Sequence, residues 1–182
     1  MQFDKHNAKN LLLLFTTLLT YSIVIVLNQL ASRKILFPSD VGSISRQFPL
    51  DITPAPIVFP IIWSTIYIWQ AIWLFYAIIF HLRRIDGKDL IYRKMDLFHP
   101  IFFIAFIINN FGMHAWLFLW TNKLVGLSFA CLLFLTLALY LAIYISHNTF
   151  YLVHDQLLNL NLKKDVWLYR ILVQNGLAFY TT

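Results

Sequence analysis

TPAPIVFPIIWSTIY, residues 53–67, joins a proline-rich loop to a long apolar block and decides the fold. Pro54 and Pro56 hold the incoming chain extended, because proline fixes its own φ and restricts the residue before it. Pro60 falls in the first turn of the following helix, where a missing N–H costs little. The pattern predicts a stiff loop that ends at the mouth of a long helix.

Aromatic and polar side chains follow this loop at helical spacing. Trp63 and Tyr67 are one turn apart and share a face of the predicted helix. Gln70 lies nearby and is an uncharged polar group that needs a partner in hydrocarbon. We expect these three side chains to line a ligand pocket. The alternative is an aromatic belt at the membrane boundary that packs against other helices.

The composition is that of a membrane protein. Of 182 residues, 60% are hydrophobic and only 12% are charged, whereas soluble domains carry roughly a quarter charged residues. The apolar residues form blocks close to the roughly 20 residues that span a bilayer. We therefore predict an all-α integral membrane protein, a single domain over residues 1–182 embedded in the lipid bilayer.

Five apolar blocks predict five transmembrane helices. The six-residue turn 121–126 forces the third and fourth helices to pack antiparallel. The last block is still apolar where the sequence stops, after about 17 residues, near the lower limit for a span. This favours a fragment of a longer product over a short last helix. The predicted helices are 10–30, 57–82, 101–120, 127–146 and 166–182.

The charges indicate orientation rather than a nucleic-acid partner. The formal net charge is +6, but the cations lie mainly in short loops between apolar blocks. The amino terminus and the second and fourth loops hold nine Lys and Arg, and the first and third loops hold four. The positive-inside rule then places the amino terminus in the cytoplasm and the 31–56 loop on the far side.

The third block carries polar residues that can be interpreted in two ways. Asn110 and His114 are four residues apart and share a helical face. Such side chains commonly make hydrogen bonds between membrane helices; alternatively, they contact a polar group of a ligand. A metal site is not indicated, because no second His, Cys or carboxylate stands at ligand spacing from His114.

The fifth block carries Arg170 and Gln174 one turn apart. Arg170 is close enough to the helix start to snorkel to the interface. The alternative is that it binds the carboxylate of an anionic ligand through its two-pronged guanidinium. Because Gln174 is followed by Asn and Gly, we expect this stretch to face the interior of the bundle.

Known catalytic motifs are missing from the sequence. It has no glycine-rich phosphate loop, no Cys/His metal cluster and no Gly-x-Ser-x-Gly elbow. An enzyme that uses His114 or Arg170 is therefore the weakest hypothesis, and no cofactor is required. Residues 90–94 match the loose pattern proposed for sterol contact, which chance often produces.

The proline-rich stretch and the helix after it resemble the signature of the tryptophan-rich sensory protein/translocator protein family. A fainter similarity continues through Asn110 and Trp116 in the third helix, and the five-block layout agrees. The resemblance covers most of the chain, but only 53–67 is specific. Its residues are Pro54, Val58, Phe59, Pro60, Trp63 and Tyr67.

The resemblance implies a five-helix bundle, often a homodimer, that binds tetrapyrroles such as protoporphyrin, sterols and drug-like molecules under the first loop. Carried over to this chain, Trp63 and Tyr67 line the pocket, and Asn110 and Trp116 take the third-helix positions. The entrance is shaped by Pro54, Val58, Phe59 and Pro60.

Two departures mark the chain as a divergent relative. Family members usually carry tryptophans in the proline loop, where this chain has Ile52 and Ile57. In the fifth helix, Gln174, Asn175 and Leu177 stand where the family has a Pro-Tyr pair followed by Trp. The leading hypothesis is a membrane protein that binds, or also transports, a flat hydrophobic molecule, with porphyrin as one candidate ligand. The alternative is a structural or accessory subunit that packs through its aromatic helix faces.

Overall fold

The structure is a computed structural model that describes residues 6–48, 57–85 and 87–181. Pro54, assigned above to the pocket entrance, lies outside the described residues. The elements in chain order are α1 (Ala8–Ser32), α2 (Val41–Gln47), α3 (Val58–Leu82), β1 (Arg84–Ile85), β2 (Asp89–Leu90), α4 (Ile91–Lys94), α5 (Pro100–Thr121), α6 (Val125–Asn159), α7 (Lys163–Leu168), a π-helix (Tyr169–Gln174) and α8 (Asn175–Thr181).

Four of these helices, α1, α3, α5 and α6, are long and apolar enough to cross a membrane. The first three begin and end within two residues of the predicted spans. Their ends follow local signals, for example His99, whose side chain accepts a hydrogen bond from the amide of Ile101 ahead of the first turn of α5. These four helices support the predicted multi-pass architecture.

Helix α6 differs from its prediction. It contains 35 residues and ends at Asn159, so the end predicted at 146 and the polar connection after it are wrong. Beyond 146 the polar content rises, but Phe150, Val153 and Leu157 continue a buried stripe at helical spacing. At 1.5 Å per residue α6 is about 52 Å long, so it extends well past a hydrocarbon core of about 30 Å.

The fifth block forms one unbroken helical segment, Lys163–Thr181, made of α7, the π-helix and α8. We call it the fifth helical segment. Its six-residue π-helix is unusual, because π-helices are rare and generally short. Whether this segment crosses the membrane as a fifth span stays a prediction.

The long elements pack as a closed ring. Around the bundle α1 contacts α5, α5 contacts α6, α6 contacts the fifth helical segment, that segment contacts α3, and α3 returns to α1. Two glycines permit very close approaches: an added Cβ at Gly112 of α5 would lie 2.9 Å from the Cβ of Leu135 in α6, and one at Gly176 of α8 would lie 2.7 Å from the Trp69 ring of α3. Small residues at such contacts are typical of membrane helix packing.

A partly buried ion pair holds the end of α3 beside the fifth helical segment. Arg83 donates from its two terminal nitrogens to the Asp165 carboxylate at 2.7 and 3.1 Å, and Tyr76 donates to the same group at 3.1 Å. The Asp165 side chain is only 2% exposed, whereas that of Arg83 is 38% exposed. A bidentate pair of this kind sets geometry as well as adding energy, so it fixes where the fifth helical segment begins.

Candidate functional site

A cavity of about 310 Å³ opens at the end of the bundle where α1 finishes and α3 begins. This volume lies at the lower edge of the roughly 300–1,000 Å³ of typical small-molecule pockets. We call it the aromatic cavity. It is lined by Asn28, Gln29 and Ser32 of α1, Asp40, Val41 and Gly42 at the start of α2, Phe59, Pro60, Trp63, Ser64 and Tyr67 of α3, and Trp116 of α5.

Trp63 is the centre of the aromatic wall. Its ring lies 5.6 Å from that of Tyr67 and 6.0 Å from that of Phe59, measured between centroids. The Trp116 ring stands 6.5 Å away and nearly parallel, at 18°, and Tyr180 of α8 meets Trp63 edge-on at 6.5 Å. Three different helices therefore bring their rings to one half-buried indole, which local sequence spacing alone cannot do.

The short helix α2 forms another side of the cavity, and three contacts hold it there. The Asp40 side chain caps α2 by accepting a hydrogen bond from the Ser43 amide at 2.7 Å. The Trp120 indole donates to the Val41 carbonyl at 3.2 Å, and Ile44 is fully buried. These contacts dock the first loop onto α5.

An ion pair stands at the rim of the cavity. Asp40 pairs with Lys34 at 3.4 Å. Partial desolvation would raise the pKa of the Asp40 carboxyl, but hydrogen bonds from Ser43 and the Lys34 ammonium outweigh this effect and lower that pKa below its usual value. Among the described lining residues none is basic, and the other polar groups are neutral carboxamides and hydroxyls.

One hydrogen-bond donor of the lining is unused. The indole Nε1 of Trp116 is buried and has no acceptor among the described residues. An unsatisfied buried donor costs on the order of 1–3 kcal/mol. The cavity therefore combines flat apolar rings with few polar groups, the usual composition of a small-molecule site.

The structure groups five of the predicted site residues and separates the others. Five predicted site residues line the aromatic cavity, and their contact with a ligand stays a prediction. These are Phe59, Pro60, Trp63, Tyr67 and Trp116. Val58 stands at the first position of α3, is 39% exposed and does not line the cavity. The remaining predicted residues, Gln70, Asn110, His114, Arg170 and Gln174, also lie away from the aromatic cavity.

Gln70 has a structural role instead. It is buried, donates to the Gly176 carbonyl of α8 at 3.0 Å, and accepts a hydrogen bond from the Trp73 indole at 2.6 Å. Its polar group finds partners within the protein, as a polar residue in a membrane interior must. A predicted pocket residue is thus a link between α3 and the fifth helical segment.

Asn110 and His114, the predicted polar pair of α5, have different surroundings. Asn110 is buried and donates to the Thr20 hydroxyl of α1 at 3.1 Å, which agrees with the interhelical alternative. His114 is half-buried, its ring meets that of Phe111 edge-on at 5.8 Å, and its Nε2 has no partner among the described residues. Within the described part of the chain, no group of three His, Cys, Asp or Glu residues could hold a metal ion.

The weak sterol pattern at 90–94 falls in the core. Leu90, Ile91 and Tyr92 are buried, and the Tyr92 ring stacks on His81 at 4.6 Å. These side chains are therefore not available to a lipid-side sterol. Arg170 and Gln174 line a separate hollow between α6 and the π-helix.

Sequence reasoning missed the wall that α1 contributes. Asn28, Gln29 and Ser32 are polar residues near the end of an apolar span, and their i, i+1, i+4 spacing places them on one side of the helix. That cluster was a usable signal. No sequence signal pointed to Asp40–Gly42 as cavity lining, because their place in the lining depends on where α2 docks.

Comparison with protein families identifies the chain. The family described as "TSPO-like protein" matches residues 13–173, most of the 182-residue sequence. Searches of the curated proteins and of the solved structures gave no match. Together with the four apolar helices, the match confirms a multi-pass helical membrane protein and the resemblance suggested by the proline-rich stretch. The chain belongs to the TSPO-like protein family.

Proposed function

We propose that this protein binds a flat hydrophobic small molecule, a sterol or a tetrapyrrole, in the aromatic cavity. The observation that carries the proposal is the ring arrangement around Trp63, where Tyr67 and Trp116 present aromatic surface to one hollow. Planar ligands gain both apolar burial and ring stacking from such a wall. The proposal treats binding as the basic activity, and transport would be a further step.

The charge of the cavity favours a neutral ligand. Protoporphyrin carries two carboxylates, whereas the lining holds no described basic residue and the nearby Lys34 is already paired with Asp40. A sterol presents one hydroxyl group, which the carboxamides of Asn28 and Gln29 can meet. We therefore expect tighter binding of a sterol than of protoporphyrin at neutral pH.

The direct test replaces Trp63 with leucine in the purified full chain. Because Trp63 joins three helices at the wall, Trp63→Leu is expected to weaken binding about tenfold or more, as loss of a central aromatic contact commonly does. Binding is measured from the fluorescence of the ligand itself, with a fluorescent sterol and with protoporphyrin in separate titrations.

The matched control is Trp167→Leu. Trp167 lies on α7, is 62% exposed and is remote from the aromatic cavity. The Trp167→Leu substitution removes the same type of side chain but leaves the aromatic wall intact, so ligand affinity is expected to stay at the wild-type value. Equal affinities of the Trp63→Leu and Trp167→Leu proteins, both folded, would contradict the proposal.

A second candidate function is favoured by the outer face of α6. Tyr140 and Tyr144 are 55% and 68% exposed and one turn apart. Phenol groups in hydrocarbon are stabilised by polar partners, so this face suits a second membrane protein or a second copy of the chain. Native mass spectrometry of the Tyr140→Leu/Tyr144→Leu protein is expected to show loss of the complex, and an unchanged complex counts against this face.

A further inference from the structure

A hollow of about 750 Å³ lies on the outside of the bundle, between α6 and the π-helix. It shares no lining residue with the aromatic cavity. Arg170 and Gln174, which the sequence places one turn apart, both belong to the π-helix and both line this hollow. π-helices occur frequently at functional sites because their widened turn displaces side chains from regular helical positions.

Arg170 brings an unneutralised charge to this hollow. Its side chain is exposed, and its guanidinium lies 5.1 Å from the centre of the Phe150 ring. In the described part of the chain no carboxylate lies within ion-pair distance of it. An arginine within a membrane domain is expensive unless acceptors surround it, and the guanidinium fork suits phosphate oxygens particularly well.

Gln174 adds a second donor without an acceptor. The residue is only 8% exposed, and its amide Nε2 is buried with no partner among the described residues. A buried amide in this state is unstable relative to one that donates to an oxygen. Arg170 supplies a charged, exposed donor and Gln174 a neutral, buried one. Two donors without an acceptor among the described residues therefore belong to side chains that line one hollow.

The position of the hollow along the bundle suits lipid headgroups. Asp165 pairs with Arg83 just past the end of α3, and an ion pair at the end of an apolar span is expected near the membrane boundary. Arg170 follows five residues later, about 7.5 Å along a helix, and its long side chain can reach outward to the headgroup layer. Lys163 and Lys164 stand at the start of the same segment.

We propose that this hollow binds the headgroup of a membrane phospholipid, with Arg170 and Gln174 donating to its phosphate. Both histidines of the lining make contacts within α6 through Nδ1. The His147 Nδ1 lies 2.9 Å from the Ile143 carbonyl, and that of His154 lies 3.0 Å from the Asp155 carboxylate. Asp155 also lines the hollow and suits the ammonium of an ethanolamine headgroup.

The test counts phosphatidylethanolamine molecules retained by the full chain in detergent, by native mass spectrometry. The wild-type protein is expected to retain one such lipid and to discriminate against a diacylglycerol with the same acyl chains. Arg170→Gln is expected to weaken retention about tenfold, whereas Lys164→Gln, which removes an exposed charge from the same segment, leaves it unchanged. Equal weakening by both substitutions would mean general electrostatic attraction and would overturn the site.

Further arms separate the source of the phosphate and guard against misfolding. Binding of inorganic phosphate that displaces the lipid at millimolar concentration would identify a soluble phosphate ligand and overturn the lipid. Gln174→Leu keeps a side chain of similar size and is expected to weaken retention severalfold, so it tests the site even if the Arg170 variant does not fold. Trp63→Leu is expected to retain the lipid as the wild type does, since the two hollows share no residue.

Discussion

At the scale of the residue, Gly112 shows how little space separates α5 from α6. A Cβ there would lie 2.9 Å from the Leu135 Cβ, an atom that cannot swing aside. Overpacking of this kind costs about 1–3 kcal/mol, more than the ~1 kcal/mol that Ala gains over Gly in a helix. We expect Gly112→Ala to lower the thermal unfolding midpoint of the purified protein. Gly126→Ala is the matched control, because a Cβ there meets nothing within 4 Å; an equal midpoint for both would refute the close contact.

At the scale of the element, α2 owes its position over the aromatic cavity to the Asp40 cap. Asp40→Ala removes the acceptor for the Ser43 amide and is expected to cost about 1 kcal/mol, which accelerates hydrogen exchange in 41–47 about fivefold. Asp40→Asn keeps a capping oxygen but loses the charge that pairs with Lys34, so near neutral pH its protection should lie between those of the wild type and Asp40→Ala. The folded pKa of Asp40 is lowered, so its stabilisation is present above the unfolded pKa and is lost as pH falls through the folded one. The protection factors in 41–47, which correct for the slower intrinsic exchange in acid, should therefore fall in the wild type as the pH drops and stay constant in Asp40→Asn.

At the scale of the whole molecule, charge distribution predicts the orientation in the membrane. The amino terminus, the 83–99 loop and the start of α7 carry most of the cations. With Cys131 replaced by serine, Gln47→Cys and Asn159→Cys place a single thiol at opposite ends of the bundle, both at exposed positions. An impermeant maleimide applied to spheroplasts should label the Gln47→Cys protein and reach the Asn159→Cys protein only after lysis. The reverse pattern would place the amino terminus outside.

Much of the helical layout could be predicted because it depends on local composition. The ends of α1, α3 and α5 follow the limits of apolar blocks, and the face shared by Trp63 and Tyr67 follows from helical spacing. The end of α6 was missed because hydropathy falls at 146, although Phe150, Val153 and Leu157 continue the buried stripe. Hydropathy indicates which part of a helix lies in the membrane, whereas the buried stripe indicates where the helix packs against a neighbouring helix.

The sequence by itself determined that this chain is a multi-pass helical membrane protein of the TSPO-like family, because apolar block length and the proline–aromatic motif are local properties. Only the tertiary structure decided which polar residues meet. It brought Trp116 and α2 to Trp63, gave Gln70 a partner in α8, and placed Arg170 and Gln174 in a hollow of their own. These distinctions depend on the order of helices around the ring, which long-range packing sets and residue spacing along one helix does not contain.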